Sequence, residues 1–126
     1  MIHLILVALG GAIGAGARHL VNFAALRLFG PNFPVGTLTV NVVGGLLMGL
    51  CAGYFALFYS GGGQNLRLFL TTGILGGFTT FSAFSLDAVL LWERGEIFTS
   101  LGYVAASVVL SIAALLLGLF IMRAVA

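Results

Sequence analysis

Three hydroxyl side chains near the carboxyl end of the chain, those of Tyr103, Ser107 and Ser111, follow one another at four-residue spacing. Residues four apart share one face of a helix, so this stripe could line a hydrated path through an apolar helix bundle. The same spacing also fits a packing seam of small residues, in which the serine hydroxyls bond back to carbonyls of their own helix. The spacing alone leaves both interpretations open.

An amide and a row of glycines occupy an earlier apolar segment, which begins near Pro34. In a helix that starts there, Asn41 lies about 10 Å from the helix end, at a rise of about 1.5 Å per residue. An amide at that depth needs a partner, and it could either join two helices or donate its NH₂ group to an anion. Gly45, Gly49 and Gly53 follow at four-residue spacing, which predicts a face for close helix contact.

A third apolar segment contains poor helix formers near its centre, where the pair Gly76 and Gly77 is followed by Thr79 and Thr80. This composition predicts that the third helix is broken near its middle. A break frees backbone carbonyls inside the bilayer, and such backbone is tolerated only where it is buried in protein or lines a water-filled cavity. Freed carbonyls at that depth suit a cation such as Na⁺. The alternative is a flexible or closely packed helix without a break.

Aromatic rings and hydroxyls are interleaved directly after this position. Phe81 and Phe84 are three residues apart, with Ser82 between them, and this spacing puts both rings on neighbouring positions of one helix face. Aromatic ring edges are electropositive, so a small anion stripped of its water could rest against them. Ordinary packing is the alternative explanation for such a pair.

Charged and titratable side chains are few and form no catalytic set. His3 and His19 are far apart in the sequence, and Cys51 is a single cysteine in an apolar stretch, so the chain is predicted not to be an enzyme. Arg18 lies near the far end of the first apolar segment, where it could extend to the membrane interface or attract anions to a vestibule. Asp87 is a candidate partner for its charge.

These residues must be positioned by helices in lipid. The chain has 126 residues, of which 61% are hydrophobic and 6% are charged, with a mean hydropathy of +1.23, whereas soluble domains carry about 25% charged residues. A spanning helix needs about 20 mostly apolar residues. We therefore predict an all-α integral membrane protein with one domain over residues 1–126 and four transmembrane helices, at about 2–25, 34–59, 66–92 and 97–122. A net charge of +2 without a basic cluster predicts no nucleic-acid partner.

The basic residues give little instruction about orientation. Four spans put Arg67 and Arg123 on one side of the membrane and Arg27 and Arg94 on the other, with Arg18 towards the latter side. Topology is set by an imbalance of Arg and Lys between the two sides, and here the imbalance is small. Insertion in both directions follows as a hypothesis, and two oppositely inserted copies would form an antiparallel homodimer, as in transporters built from inverted repeats.

Three sequence runs resemble the Fluc family of fluoride channels, also called CrcB proteins. The most specific run is GGFTTFSAFS at residues 76–85, and it is accompanied by GTLTVNVVGG at 36–45 and GGAIGAGAR at 10–18. The resemblance covers the whole chain, including its four spans and its length. It implies a fluoride-selective channel that exports F⁻ passively across a bacterial or archaeal plasma membrane, as a dual-topology antiparallel homodimer with two pores.

The resemblance also implies roles for individual residues. Fluoride would contact the ring edges of Phe81 and Phe84 and the amide of Asn41. The polar pore walls would be formed by Ser82, Tyr103, Ser107 and Ser111. Arg18 would lie at a vestibule. The backbone carbonyls of Gly76 and Thr79, two from each chain, would hold a structural Na⁺ on the dimer axis, and no organic cofactor is implied. Ala83 departs from the family, because many relatives have Thr there, and this puts one polar contact in doubt.

Two other functions fit a small protein of four membrane helices. A proton-coupled multidrug exporter needs a carboxylate embedded in its first helix, but residues 2–25 contain no Asp or Glu, and the only acid within a span, Asp87, lies near one end. An accessory subunit of a larger membrane complex needs small residues at its seams, but it does not need ordered faces of Asn, Ser, Thr and Phe.

Overall fold

The computed structural model describes residues 1–58 and 63–125, and this part of the chain forms four long segments that are helical except at residues 79–81. The elements are α1 (Ile2–Phe29), α2 (Val35–Phe58), a third segment made of α3 (Gln64–Arg67), a π-helix (Leu68–Leu75), α4 (Gly76–Phe78) and α5 (Ser82–Glu93), and finally α6 (Ile97–Val125). Within the described residues, four helical segments are long and apolar enough to cross a membrane. Most large apolar side chains on their outer faces are exposed, which is the surface expected of a multi-pass membrane protein.

The first helix is longer than predicted, because it continues past residue 25 to Phe29 and includes Arg27, which lies outside the predicted span of 2–25. Leu26, Leu28 and Phe29 extend the apolar helix, and it ends only at Gly30, whose φ of 78° requires the left-handed region that glycine adopts readily. The Gly30 N–H donates to the Leu26 carbonyl at 2.9 Å. The last helix is longer as well and reaches Val125 rather than about 122.

The second and third predicted boundaries lie close to the observed ones. The second helix begins at Val35, directly after Pro34, and is described to Phe58. Its predicted end at residue 59 lies outside the described residues. The third segment spans Gln64–Glu93 against a prediction of 66–92.

Glycines bring the helices together in two seams. In the first, α2 packs on α6, where Gly45 and Gly49 lie against the backbone of Ser111 and Leu115, and Gly53 lies against Met122. The predicted contact face at Gly45, Gly49 and Gly53 is therefore confirmed. The contact between α2 and α6 is close because glycine has no side chain to separate the two helix backbones.

The second seam joins α1 to the third segment. Gly10 and Gly14 of α1 lie against the backbone at Gly73 and Ile74, and Gly77 lies against the backbone of Gly11. Sequence reasoning did not single out this pairing, because it required knowing which two helices are neighbours. The seam fixes the third segment from Gly73 through α4.

Substitution of Gly14 by alanine tests the second seam. An added Cβ would overlap the Ile74 carbonyl oxygen and lie 2.7 Å from the Phe78 nitrogen, and neither backbone atom can move away easily. We expect Gly14→Ala to lower stability by about 1–3 kcal/mol, measured as a lower unfolding temperature of the purified protein in detergent. Gly16→Ala is the matched control on the same helix, because nothing lies within 4 Å of its added Cβ. Equal stability of the two variants would contradict the seam.

The backbone of the third segment changes character twice. Its residues Leu68–Leu75 form a π-helix, a rare conformation that is frequently found at functional sites. After α4, Thr79 has an extended backbone with φ −85° and ψ 160°, and the next helix begins at Ser82. The Thr79 N–H still bonds the Leu75 carbonyl and the Phe81 carbonyl still accepts from the Ser85 N–H, but the backbone groups of Thr80 between them point towards α2.

Candidate functional site

Asn41 of α2 and the backbone of Thr80 form a pair of hydrogen bonds across the bundle. The amide Nδ2 donates to the Thr80 carbonyl at 3.0 Å, and the Thr80 N–H donates to Oδ1 at 2.8 Å. Of the two roles considered for this amide, joining two helices is the one observed. Because Nδ2 carries two hydrogens and this pair uses one of them, a second donor hydrogen is still available.

Hydrogen bonds in this region also use two N–H groups that would bond backbone carbonyls in a regular α-helix. A helical carbonyl accepts from the N–H four residues ahead. For Gly76 that donor belongs to Thr80 and instead bonds Asn41, and for Thr79 it belongs to Ala83 and instead bonds the Thr80 hydroxyl at 3.2 Å. The carbonyls of Gly76 and Thr79 are thus released from their helical partners. Uncharged oxygens of this kind fit a hard cation such as Na⁺.

A cleft of about 410 Å³, which we call the central cleft, lies between α2, α6 and the region from Thr79 to Phe84. Its polar and aromatic lining consists of Asn41, Thr79, Thr80, Phe81, Phe84, Ser107 and Ser111. Six of these seven are predicted site residues, so the fold brings together residues that the sequence separates by 70 positions. None of the described residues that line the central cleft is charged.

Two hydroxyls in the central cleft have unused hydrogen-bonding capacity. The Oγ atoms of Ser107 and Ser111 are buried, and neither makes a well-oriented hydrogen bond within the described part of the chain, although the Ser107 hydroxyl lies near the Tyr103 phenol. These serines therefore do not bond back to helix carbonyls, although the Ser111 backbone does pack against Gly45 in the α2–α6 seam. Leaving a buried polar group unpaired costs about 1–3 kcal/mol, so both hydroxyls favour the entry of a water molecule or a hydrogen-bond acceptor.

Four aromatic rings stand in a continuous line, which we call the aromatic row. Its members are Phe81, Phe84, Tyr103 and Phe33, with centroids 5.6, 5.3 and 5.5 Å apart in that order. Phe81 and Phe84 are neighbours, as their spacing predicted. Phe33 was missed, because it belongs to a short link and its contact with Tyr103 joins residues 70 positions apart.

The aromatic row leads from the central cleft to a second cleft of about 400 Å³ at the end of the bundle, which we call the mouth cleft. Side chains from α1, α2, α5 and two links line it, among them Asn22, Phe33, Thr37, Asp87 and Arg94. The mouth cleft carries charge, whereas the central cleft does not.

The remaining predicted residues lie outside the central cleft. Tyr103 is fully buried, and its hydroxyl donates to Asp87 Oδ2 at 3.2 Å. Asp87 therefore pairs with Tyr103 rather than with Arg18, whose Nε is buried and lacks a partner within residues 1–58 and 63–125. Ser82 is exposed, with its Oγ 3.5 Å from the Thr80 hydroxyl.

Comparison with known proteins places this arrangement in a family. A family model described as "CrcB-like protein, Camphor Resistance (CrcB)" matches residues 5–119. The chain belongs to the CrcB family. The matched range includes every residue of the central cleft and of the aromatic row.

Curated members of the CrcB family resemble the chain along nearly all of its length. A protein of Paracoccus denitrificans is 62% identical over 117 residues, covering 93% of this chain and 91% of its own. A protein of Rhizobium etli is 57% identical over 126 residues and covers both chains completely, and one of Mesorhizobium japonicum is 56% identical over 124 residues, or 98% of each chain. All three are named fluoride-specific ion channel FluC, which describes ion channels rather than enzymes.

Proposed function

We propose that this chain is a fluoride-selective ion channel that exports F⁻ passively across the plasma membrane of the cell. The observation that carries the proposal is the uncharged central cleft, in which unpartnered hydroxyls and an amide lie beside phenylalanine rings. Its relatives with 62%, 57% and 56% identity carry the name of a fluoride-specific channel, which agrees with that chemistry.

The chemistry of the central cleft suits a small, strongly hydrated anion. A pore must replace the hydration shell of the ion with donors, yet each site must be weak enough to release it. The second amide hydrogen of Asn41, the hydroxyls of Ser107 and Ser111 and the electropositive edges of Phe81 and Phe84 supply several weak contacts. A fixed positive charge would hold the ion more tightly, and the described residues that line the cleft carry none.

We propose that two copies assemble as an antiparallel homodimer with one pore along each chain. Phe81 is 78% exposed in the single chain, and Gly76 is exposed beside it. A released carbonyl facing lipid would be costly, so a second copy is the natural cover for this surface. Labelling of Ala124→Cys in a Cys51→Ser background should reach about half of the copies from each side of the membrane. Labelling from one side only would contradict dual insertion.

We propose that the released carbonyls of Gly76 and Thr79 from both chains hold one Na⁺ at the dimer axis. When bound, the ion supplies positive charge that pins the interrupted third segments of the two chains together. We expect the unfolding temperature in detergent to rise with Na⁺ concentration, because a ligand at about 100 times its dissociation constant stabilises the folded state by about 2.7 kcal/mol. N-methylglucamine at equal ionic strength is the control, and an equal effect of both salts would contradict the site.

Expression in a fluoride-sensitive bacterium without its own fluoride exporter tests the function in cells. The chain should restore growth in millimolar fluoride and leave sensitivity to cationic dyes and drugs unchanged. The second readout separates a fluoride channel from a multidrug exporter. Failure to restore growth, with the protein present in the membrane fraction, would contradict the proposal.

A further inference from the structure

Tyr103 stands between the two clefts and lines neither of them. Its ring contacts Phe84, which lines the central cleft, at a centroid distance of 5.3 Å, and Phe33, which lines the mouth cleft, at 5.5 Å. Tyr103 is 0% exposed. These three rings therefore connect the two clefts, and Phe33 is the aromatic ring that lines the mouth cleft.

The polar side chains of the mouth cleft offer few hydrogen-bond donors to an anion. A phenol has one donor hydrogen, and Tyr103 spends it on Asp87 Oδ2. Asp87 also lines the mouth cleft, where its carboxylate accepts hydrogen bonds and repels anions. The Arg94 guanidinium faces Glu96 Oε2 at 2.6 Å, so its charge is largely compensated. Favourable contacts for an anion must then come from uncharged groups such as the buried Thr37 hydroxyl and the Phe33 ring.

Phe33 is held more firmly than an ordinary link residue. The following Pro34 restricts its backbone to extended conformations, and its carbonyl accepts from the Val35 N–H at 2.8 Å. The preceding carbonyl, that of Asn32, accepts from Arg94 Nη2 at 2.9 Å, a bond that ties the two links at this end of the bundle together. Its ring meets Tyr103 at 86°, an edge-to-face arrangement. Fixed neighbours of this kind are what an ion site needs.

We infer that Phe33 is a further pore residue, and that its ring is the aromatic contact for fluoride in the mouth cleft. This inference rests on the proposed function as a fluoride channel. Arg94 acts as a positioning residue, because it holds the Asn32 carbonyl and through it the Phe33 backbone. The fluoride path then uses the whole aromatic row, and it begins at the mouth with Phe33 rather than at the centre with Phe84.

Fluoride efflux from liposomes, measured over a range of internal fluoride concentrations, tests the inference. Phe33→Leu and Phe33→Met remove the ring but keep an apolar side chain, and Phe33→Tyr keeps the ring. At low fluoride, we expect the flux of each variant without the ring to fall about tenfold, which corresponds to the energy of one aromatic contact. At high fluoride, the loss of flux should be much smaller. Phe33→Tyr should approach the wild type. Phe98→Leu is the matched control, because that ring, at the same end of the bundle, is 88% exposed.

The concentration dependence separates a binding role from a packing role. Loss of packing lowers the number of working channels and so reduces flux by one factor at every concentration. That result, or wild-type flux in both Phe33→Leu and Phe33→Met, would overturn the inference while the channel itself stands. If the wild-type protein carries no fluoride at all, the proposed function falls and the inference falls with it.

Discussion

Replacement of Phe84 by isoleucine should reduce fluoride flux through the reconstituted protein on the order of 100-fold, equivalent to a barrier higher by about 2.7 kcal/mol. Phe84 is only 8% exposed, and its ring touches both Phe81 and Tyr103. Isoleucine preserves apolar bulk but lacks the electropositive ring edge. The ion would then lose its water in the central cleft without the contact that replaces it. The measurement is the initial rate of fluoride release from liposomes.

Phe81→Ile should have a similar effect, and Phe98→Ile should have little. Phe98 is 88% exposed on α6, so it offers the same chemical change away from both clefts. Size-exclusion chromatography should show each variant at the elution volume of the wild type. Wild-type flux in both Phe81→Ile and Phe84→Ile would contradict a role of these two rings in contacting fluoride.

The second large effect is expected at Asn41, where Asn41→Asp should also reduce fluoride flux on the order of 100-fold. Aspartate keeps an acceptor for the Thr80 N–H but cannot donate to the Thr80 carbonyl, which Asn41 Nδ2 now reaches at 3.0 Å. It also places a negative charge in an uncharged cleft. At about 5 Å and an effective dielectric constant of about 20, repulsion of an anion amounts to about 3 kcal/mol.

Asn65→Asp is the matched control for this change, because Asn65 is exposed on α3 and does not line the central cleft. It alters the net charge of the protein by the same amount. Flux of Asn41→Asp within a factor of about two of the control would show that the anion does not pass close to this amide.

Composition and spacing predicted the parts of the structure that follow from local rules. Four spans follow from hydropathy, and the contact face at Gly45, Gly49 and Gly53 follows from the closeness that glycine permits between helices. The need of Asn41 for a partner follows from the cost of an unpaired amide in an apolar bundle. The proximity of Ser107 and Ser111 follows from the helix repeat.

What sequence reasoning could not supply depends on contacts between distant residues. It offered Arg18 as a partner for Asp87, but the fold gives that carboxylate to Tyr103. Both pairings were electrostatically reasonable, and only the packing of α5 on α6 decides between them. Phe33 was missed for the same reason, since nothing local to a proline-containing link shows that its ring will meet Tyr103.

Passive fluoride efflux from liposomes that contain the purified wild-type protein tests the channel function most directly. A fluoride electrode reports release down a concentration gradient, while potassium and valinomycin set the voltage, and chloride efflux and protein-free liposomes are the controls. We expect rapid, voltage-dependent release of fluoride with negligible release of chloride. If liposomes with verified, folded dimers release fluoride no faster than protein-free liposomes, the proposed channel function is contradicted. The central cleft would then have a role only in packing.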